Sequence, residues 1–206
     1  MAIITLGGSN AQWSGDANGH GGVLLYDLNN RPLLPVVAGS YAAPIEQRHT
    51  AADAAGSTVW DLRGPTSLKA YIRAIHGIIV FDGTATAATT MRFGFYRGAG
   101  AASPTGGTSL TPEKKTSTMP ASTVAALQGN GILTTTGIAY DANAFAVVGL
   151  AASPTGGSVR FNMRFEQAQE LDSAFSFAAN EHFAIRLNTA AIIGLGLYGY
   201  CEWDER

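Results

Sequence analysis

Two short stretches decide how this chain folds: Met91-Arg-Phe-Gly-Phe-Tyr-Arg97 and Val159-Arg-Phe-Asn-Met-Arg-Phe165. In the first, Met91, Phe93 and Phe95 fall on one side, and Arg92, Gly94 and Tyr96 on the other. In the second, Val159, Phe161, Met163 and Phe165 alternate with Arg160, Asn162 and Arg164. Successive side chains leave opposite faces of a sheet, so a period of two marks a strand. One apolar and one polar side mean an antiparallel sheet that covers a core on one face only. Two such sheets packed face to face make a β-sandwich.

Working outward, most other apolar runs are short, rich in Val, Ile, Thr, Phe and Tyr, and bounded by Gly, Pro, Asn or Ser. They predict strands over Ala2–Leu6, Val23–Asp27, Leu34–Ser40, Ser57–Asp61, Leu68–Phe81, Thr89–Arg97, Gly131–Tyr140, Phe145–Leu150, Ser158–Glu166, His182–Leu187 and Ala191–Trp203. Two segments predict helical turns. Pro120–Leu127 opens with Pro and stops at Gly129-Asn130-Gly131, and Arg48–Ala55 is rich in Ala. Gly7–Gly22, Gly-rich and carrying Trp13, reads as a loop or extended arm. The expected organisation is therefore an N-terminal strand and arm over 1–22, then a single all-β antiparallel sandwich over 23–206 with one or two short helical turns.

The composition narrows the function. Charged residues make up 14% of the 206, against about 25% in an ordinary soluble domain. With a formal net charge of −2 the chain is not a backbone-tracking nucleic-acid binder. At 46% hydrophobic residues it is not disordered. Its one cysteine, Cys201, excludes an intramolecular disulfide framework and a cysteine-built metal site. The N-terminus lacks a basic region ahead of its short apolar run, so no signal peptide is expected. No apolar stretch has the ~18–20 residues of a membrane-spanning helix. A weakly charged exterior suits a surface that meets other protein.

No catalytic constellation stands out. His49 and Asp53 sit at i, i+4, but no further ligand nearby completes a metal site. His76 lies inside an apolar strand, as a core or interface histidine would, and His182 opens a strand, where a solvated edge role is expected. Asp16 and His20 in the Gly-rich arm match no calcium-loop spacing, and Glu166 and Glu170 read as a polar loop. Phosphate-loop, nucleophile-elbow and dinucleotide fingerprints are absent from the sequence. Lys114-Lys115 reads as charge on an edge strand that blocks further pairing. No cofactor and no metal are expected.

One heptapeptide occurs twice: Ala101-Ala-Ser-Pro-Thr-Gly-Gly107 returns as Ala151-Ala-Ser-Pro-Thr-Gly-Gly157. Pro fixes φ at one corner and Gly permits positive φ at the next, so each copy reads as a turn between strands. Ser103, Pro104, Thr105, Ser153, Pro154 and Thr155 are then candidate partner contacts at loop tips, with Trp13 as an aromatic anchor on the arm.

Beyond these readings, Arg92-Phe-Gly-Phe-Tyr-Arg-Gly-Ala-Gly100, then Thr105-Gly-Gly-Thr-Ser-Leu-Thr-Pro-Glu-Lys-Lys115, then Thr118-Met-Pro-Ala-Ser-Thr123, resemble a pattern in tailed-bacteriophage virion proteins. Asn180–Leu187 and Gly199–Glu205 are similar to the last two strands of those proteins. The resemblance spans 68–206 and is one of composition and order. It implies a jelly-roll-like β-sandwich built into a virus particle, made in the host cytoplasm and not an enzyme. The implied roles are a capsid decoration or cement protein, with a tail or head fibre or a receptor- or carbohydrate-binding module as the alternative. The implied partners are the major capsid protein or other virion proteins and further copies of the chain, a homotrimer on symmetric shell positions, with neither nucleic acid nor membrane.

Overall fold

The computed structural model describes residues 3–6, 9–15, 21–26, 39–83, 89–152, 156–165 and 175–205. Its strands in chain order begin with β1 (Ile3–Leu6), β2 (Ser9–Gly15), β3 (Gly21–Tyr26), β4 (Gly39–Arg48) and β5 (Thr58–Arg63). There follow β6 (Ala70–Phe81), β7 (Thr89–Ala99), β8 (Thr105–Leu110), β9 (Glu113–Lys114), β10 (Ala125–Thr134) and β11 (Ala139–Tyr140). The remainder are β12 (Ala146–Ala152), β13 (Gly157–Arg164), β14 (Ser176–Phe177), β15 (Glu181–Leu187) and β16 (Leu195–Glu205).

The chain divides between Val37 and Ala38. In the first unit β1, β2 and β3 pair antiparallel in that order, with Ile3 opposite Gln12 and Asn10 opposite Tyr26. The stretch 7–22 therefore contains a strand, and a boundary after residue 22 would fall inside β3.

The second unit is an antiparallel β-sandwich. One sheet has the order β11-β7-β15-β5-β10-β8, with β12 also on β7. The other has the order β13-β6-β16-β4-β9, with β14 on β6. The core between them takes Trp60, Leu62, Phe93, Phe95, Phe183 and Ile185 from the first sheet, and Ile45, Ile72, Ile75, Ile79, Leu197 and Trp203 from the second. Met91, Phe93 and Phe95 are all buried, so the alternation of β7 points its apolar side inward. β13 lies at the rim, where Phe161 and Met163 pack on the core while Arg160, Asn162 and Arg164 are exposed.

Among the described residues there is no helix, which corrects both expected helical turns. After Arg48 the backbone is claimed by the approach to β16. His49 N–H donates to the Leu195 carbonyl, Gly194 N–H to that of His49, and Ala191 N–H to that of Asp53. Groups committed sideways cannot close helical i→i−4 bonds. In the second segment the Glu205 carboxylate captures the Thr123 N–H at 3.2 Å, the Thr123 hydroxyl at 2.8 Å and the Ser122 hydroxyl. From Ala125 onward the chain is held between β5 and β8. Tertiary pairing outweighs the local helical preference of Ala.

β4 would leave its upper half as an open edge, because β9 covers only Tyr41 and Ala42. Side chains from the opposite sheet close it. The Gln128 amide donates to the Glu46 carbonyl at 2.5 Å and accepts from the Glu46 N–H at 2.7 Å, as a neighbouring strand would. Trp60 Nε1–H donates to the Pro44 carbonyl at 3.0 Å. Pro44 lacks an N–H, so that position asks for no donor's partner.

Candidate functional site

Three places collect chemistry-bearing side chains. The first lies on the outer face of the sheet containing β5. A bulge in β5 sets Trp60 opposite Ile185 and Thr58 opposite Arg186. Residues directly opposite one another share a face. Asp61 and Arg63 thus join His182, Ala184 and Arg186 on the face away from the core. Water would ordinarily cover such a face, yet Asp61 is 1% exposed and His182 fully buried. The phenol of Tyr140, from the short edge strand β11, folds over it. Gly98 makes room, since a β-carbon there would stand 2.7 Å from the Tyr140 ring.

Beneath Tyr140 both imidazole nitrogens and both carboxylate oxygens are engaged, while Thr58 Oγ1 and Arg186 Nε beside them are buried without a partner. His182 Nδ1 is 2.8 Å from Asp61 Oδ1, and Nε2 is 3.1 Å from the Gly100 carbonyl. Both neighbours accept, so both ring nitrogens carry protons and the ring is an imidazolium paired with a carboxylate. Tyr140 Oη donates to the second Asp61 oxygen at 3.0 Å. The Arg186 guanidinium lies 4.6 Å above the Tyr140 ring and 5.1 Å above that of Tyr96. Burial works against the charged imidazole. The hydrogen bond and charge of Asp61, with the Gly100 carbonyl, outweigh both burial and the repulsion of Arg63, so the pKa of His182 lies above its ordinary value. Burial, then the Asp61 charge, push that of Tyr140 far up and keep the phenol a donor. A solvated edge role for His182 is thereby corrected: β15 is an inner strand, flanked by β7 and β5.

The second place is the pair His49 and Asp53, joined Nδ1 to Oδ2 at 2.6 Å across a loop rather than along a helix. His49 is fully buried, its Nε2 has no partner, and its ring lies 6.3 Å from Phe93. A buried Nε2 with no partner has no substrate within reach. No group of three or more His, Cys, Asp and Glu among the described residues could hold a metal ion. Cys201 is buried in β16, and burial, then the Glu202 charge, raise its pKa, so its thiol is not a poised nucleophile.

The third place is the outer face of the sheet containing β16. His76 is half-buried there, stacked on Tyr200 with ring centroids 4.7 Å apart, and Tyr200 is 42% exposed. Beside Tyr200 lies an open hollow of about 410 Å³ lined by Ala42, Pro44, Leu110, Thr111 and Glu113. Around it the cross-strand register lays out columns of distinct character. One row runs Arg164, Ala74, Glu202, Ala42, Glu113, the next Asn162, His76, Tyr200, Pro44, and the third Arg160, Ile78, Tyr198, Glu46.

The candidate contacts read from the repeated heptapeptide fare unevenly. Ser103 is exposed and bonded to Arg63 Nη1 at 2.8 Å, and Thr105 is exposed at the start of β8. Pro104 is buried, which removes it as a contact. Neither copy joins neighbouring strands. The first links β7 to β8, which have three strands between them in one sheet, and the second links β12 to β13 in different sheets. Ser153, Pro154 and Thr155 lie outside the described residues, as do Asp16, His20, Glu166, Glu170 and the side chain of Trp13. Lys114 stands in the edge strand β9, as expected, and Lys115 pairs with Glu202. Sequence reasoning missed Asp61, Tyr140 and Tyr200. A carboxylate within the apolar run Thr58–Arg63 was a signal for the first; nothing marked its pairing with His182.

Among the described residues no helix is long and apolar enough to cross a membrane. No family model matches the chain, and neither a curated protein nor a solved structure matches it.

Proposed function

We propose that the protein is a non-enzymatic structural component of a virus particle, a capsid decoration or cement protein that binds the outer shell and stabilises it. The observation that carries this reading is the closure of the His182–Asp61–Tyr140 cluster. Both imidazole nitrogens and both carboxylate oxygens are already engaged within it. General acid–base chemistry needs a group free to exchange a proton with substrate. The chemistry of this cluster is thus spent on holding strands together, while the middle of the outer face of the β16 sheet offers His76, Ile78, Tyr198 and Tyr200. The likeness of 68–206 to tailed-phage virion proteins supports the same reading, including the jelly-roll form of the sandwich and the major capsid protein as partner. A ligand that binds only the assembled shell stabilises it by mass action. Three-fold positions on a shell would favour a trimer there.

The exposed Tyr200 ring beside the hollow favours one second reading, a fibre-type module that stacks a sugar ring on it. The burial of Pro104 tells against the version in which the heptapeptide loops carry such a site. Co-sedimentation with empty capsids decides between them. The cement reading expects saturable binding and a higher disruption temperature of the decorated shell. Glycan binding with no affinity for capsids would replace it with the fibre reading.

A further inference from the structure

The buried histidine holds a loop as well as the strands it joins. Gly100, just past the end of β7, offers its carbonyl to His182 Nε2 at 3.1 Å. From there the chain enters the first copy of the repeated heptapeptide, where Ala101, Ser103 and Thr105 are exposed. The N–H of Gly100 is tied separately, donating to the Asn180 carbonyl at 2.8 Å. Space requires glycine here, since a β-carbon would stand 2.4 Å from the Gly137 carbonyl oxygen, and glycine leaves the peptide that follows it free to turn. Pro104 is buried and anchors the far end, so the span between the two anchors is 101–103. A second tie, from Arg63 Nη1 to the Ser103 hydroxyl at 2.8 Å, lies toward solvent, where water competes for it.

We propose that the proton on His182 Nε2 is the latch of this loop: with the ring charged the Gly100 carbonyl is held and the loop is fixed, and with the ring neutral that peptide turns away and the loop is released. A neutral imidazole keeps one N–H. Asp61 is the stronger of the two acceptors, a carboxylate whose other oxygen is held by the Tyr140 hydroxyl, so the remaining proton stays on Nδ1. Nε2 then presents a lone pair to the Gly100 carbonyl oxygen, and two acceptors at that distance repel. The carbonyl is the partner that yields, because His182 sits on an inner strand between β7 and β5 while the Gly100 carbonyl heads a loop. The ring is fully buried, so its proton reaches water as the peptide swings out, and the two releases are one event. The titratable and charged groups sharing this face are Asp61 and Arg63 on β5, Tyr96 on β7, Tyr140 on β11 and Arg186 on β15 itself; β10 brings only Ala125 and Leu127 level with Arg63 and Asp61. Asp61 favours the charged ring, and Arg63, directly opposite His182, opposes it. The latch therefore opens as pH rises above about 6.5 and through the higher folded midpoint. It changes how the exposed heptapeptide residues are presented, whether or not the virion reading stands.

Nuclear magnetic resonance of the full chain, followed from mildly acidic to basic pH, tests it. At the acidic end both ring nitrogens of His182 should carry protons. As pH rises Nε2 should lose its proton, and the Gly100 carbonyl and Ala101 amide signals should move with the same midpoint while those of Ser109 in β8 stay in place. Arg63→Gln removes the opposing cation and should raise the ring and loop midpoints by the same amount. Ser103→Ala removes only the solvent-side tie and should leave both where they are. A Gly100 signal that stays put while the ring titrates overturns the proposal. So do a ring that is neutral at the acidic end or keeps both protons throughout, and loss of the Nδ1 proton first. Midpoints that separate in Arg63→Gln overturn it as well, as does a transition in which the β8 and core signals move with the loop, since that is unfolding of the whole sandwich.

Discussion

A histidine with both nitrogens donating is a titratable strap across the sandwich. The folded pKa of His182 is raised, so the folded state holds a proton that the unfolded chain releases near pH 6.5. Below that pH both states are protonated, and the stabilisation from the Asp61 pair is fully present. As pH rises from about 6.5 through the folded pKa the contribution is lost, with a slope of up to about 1.4 kcal/mol per pH unit for one proton. Urea unfolding from mildly acidic to mildly basic pH should show stability falling over this window. His182→Gln should be less stable at the acidic end and lose that slope. A slope of the opposite sign would mean that His182 is neutral in the fold. The Tyr140 hydroxyl does not titrate in this range, so it adds no slope of its own.

At the scale of the element, glycine in the middle of β16 sets how closely its sheet is knit. A β-carbon on Gly199 would stand 1.9 Å from the His76 carbonyl oxygen, a backbone atom that cannot swing aside. Gly199→Ala should therefore part β16 from β6 and cost about 1–3 kcal/mol or more, read as a lower denaturation midpoint. Ala at an exposed strand position with open space around it would cost far less. Sequence alternation made β7 and the rim strand β13 legible, because each carries large apolar residues every second position. β4 was largely overlooked: Tyr41-Ala-Ala-Pro-Ile-Glu-Gln47 mixes small residues with a proline, and only the pairing partners make it a strand. β8, Thr-Gly-Gly-Thr-Ser-Leu, reads partly as a turn for the same reason. Of the buried cluster, His182 was visible as a residue but not as a pair, since Asp61 lies 121 positions away. Only strand order brings such residues together, and strand order is not written in local periodicity.

At the scale of the whole molecule, the sandwich core draws its described residues from Tyr41 onward. A chain starting at residue 38 should therefore fold by itself, with one cooperative unfolding transition and the near-ultraviolet circular dichroism of buried Trp60 and Trp203 preserved. Loss of those signals would show that residues 1–37 complete the core. On the proposed decoration role, the same truncated chain tests the β1–β3 unit: if that unit engages a capsid shell, capsid binding weakens while the sandwich stays folded.

β16 is the strand nearest the C-terminal end of the described chain, and it sits in the interior of its sheet, between β6 and β4. On a ribosome, β4 and β6 emerge long before the segment that must join them. Until residues 195–205 leave the exit tunnel, two facing strand edges stand open and the Trp203 side of the core is unfilled. The six-stranded sheet therefore closes only once this region has been made, and until then the edges of β4 and β6 are left unpaired.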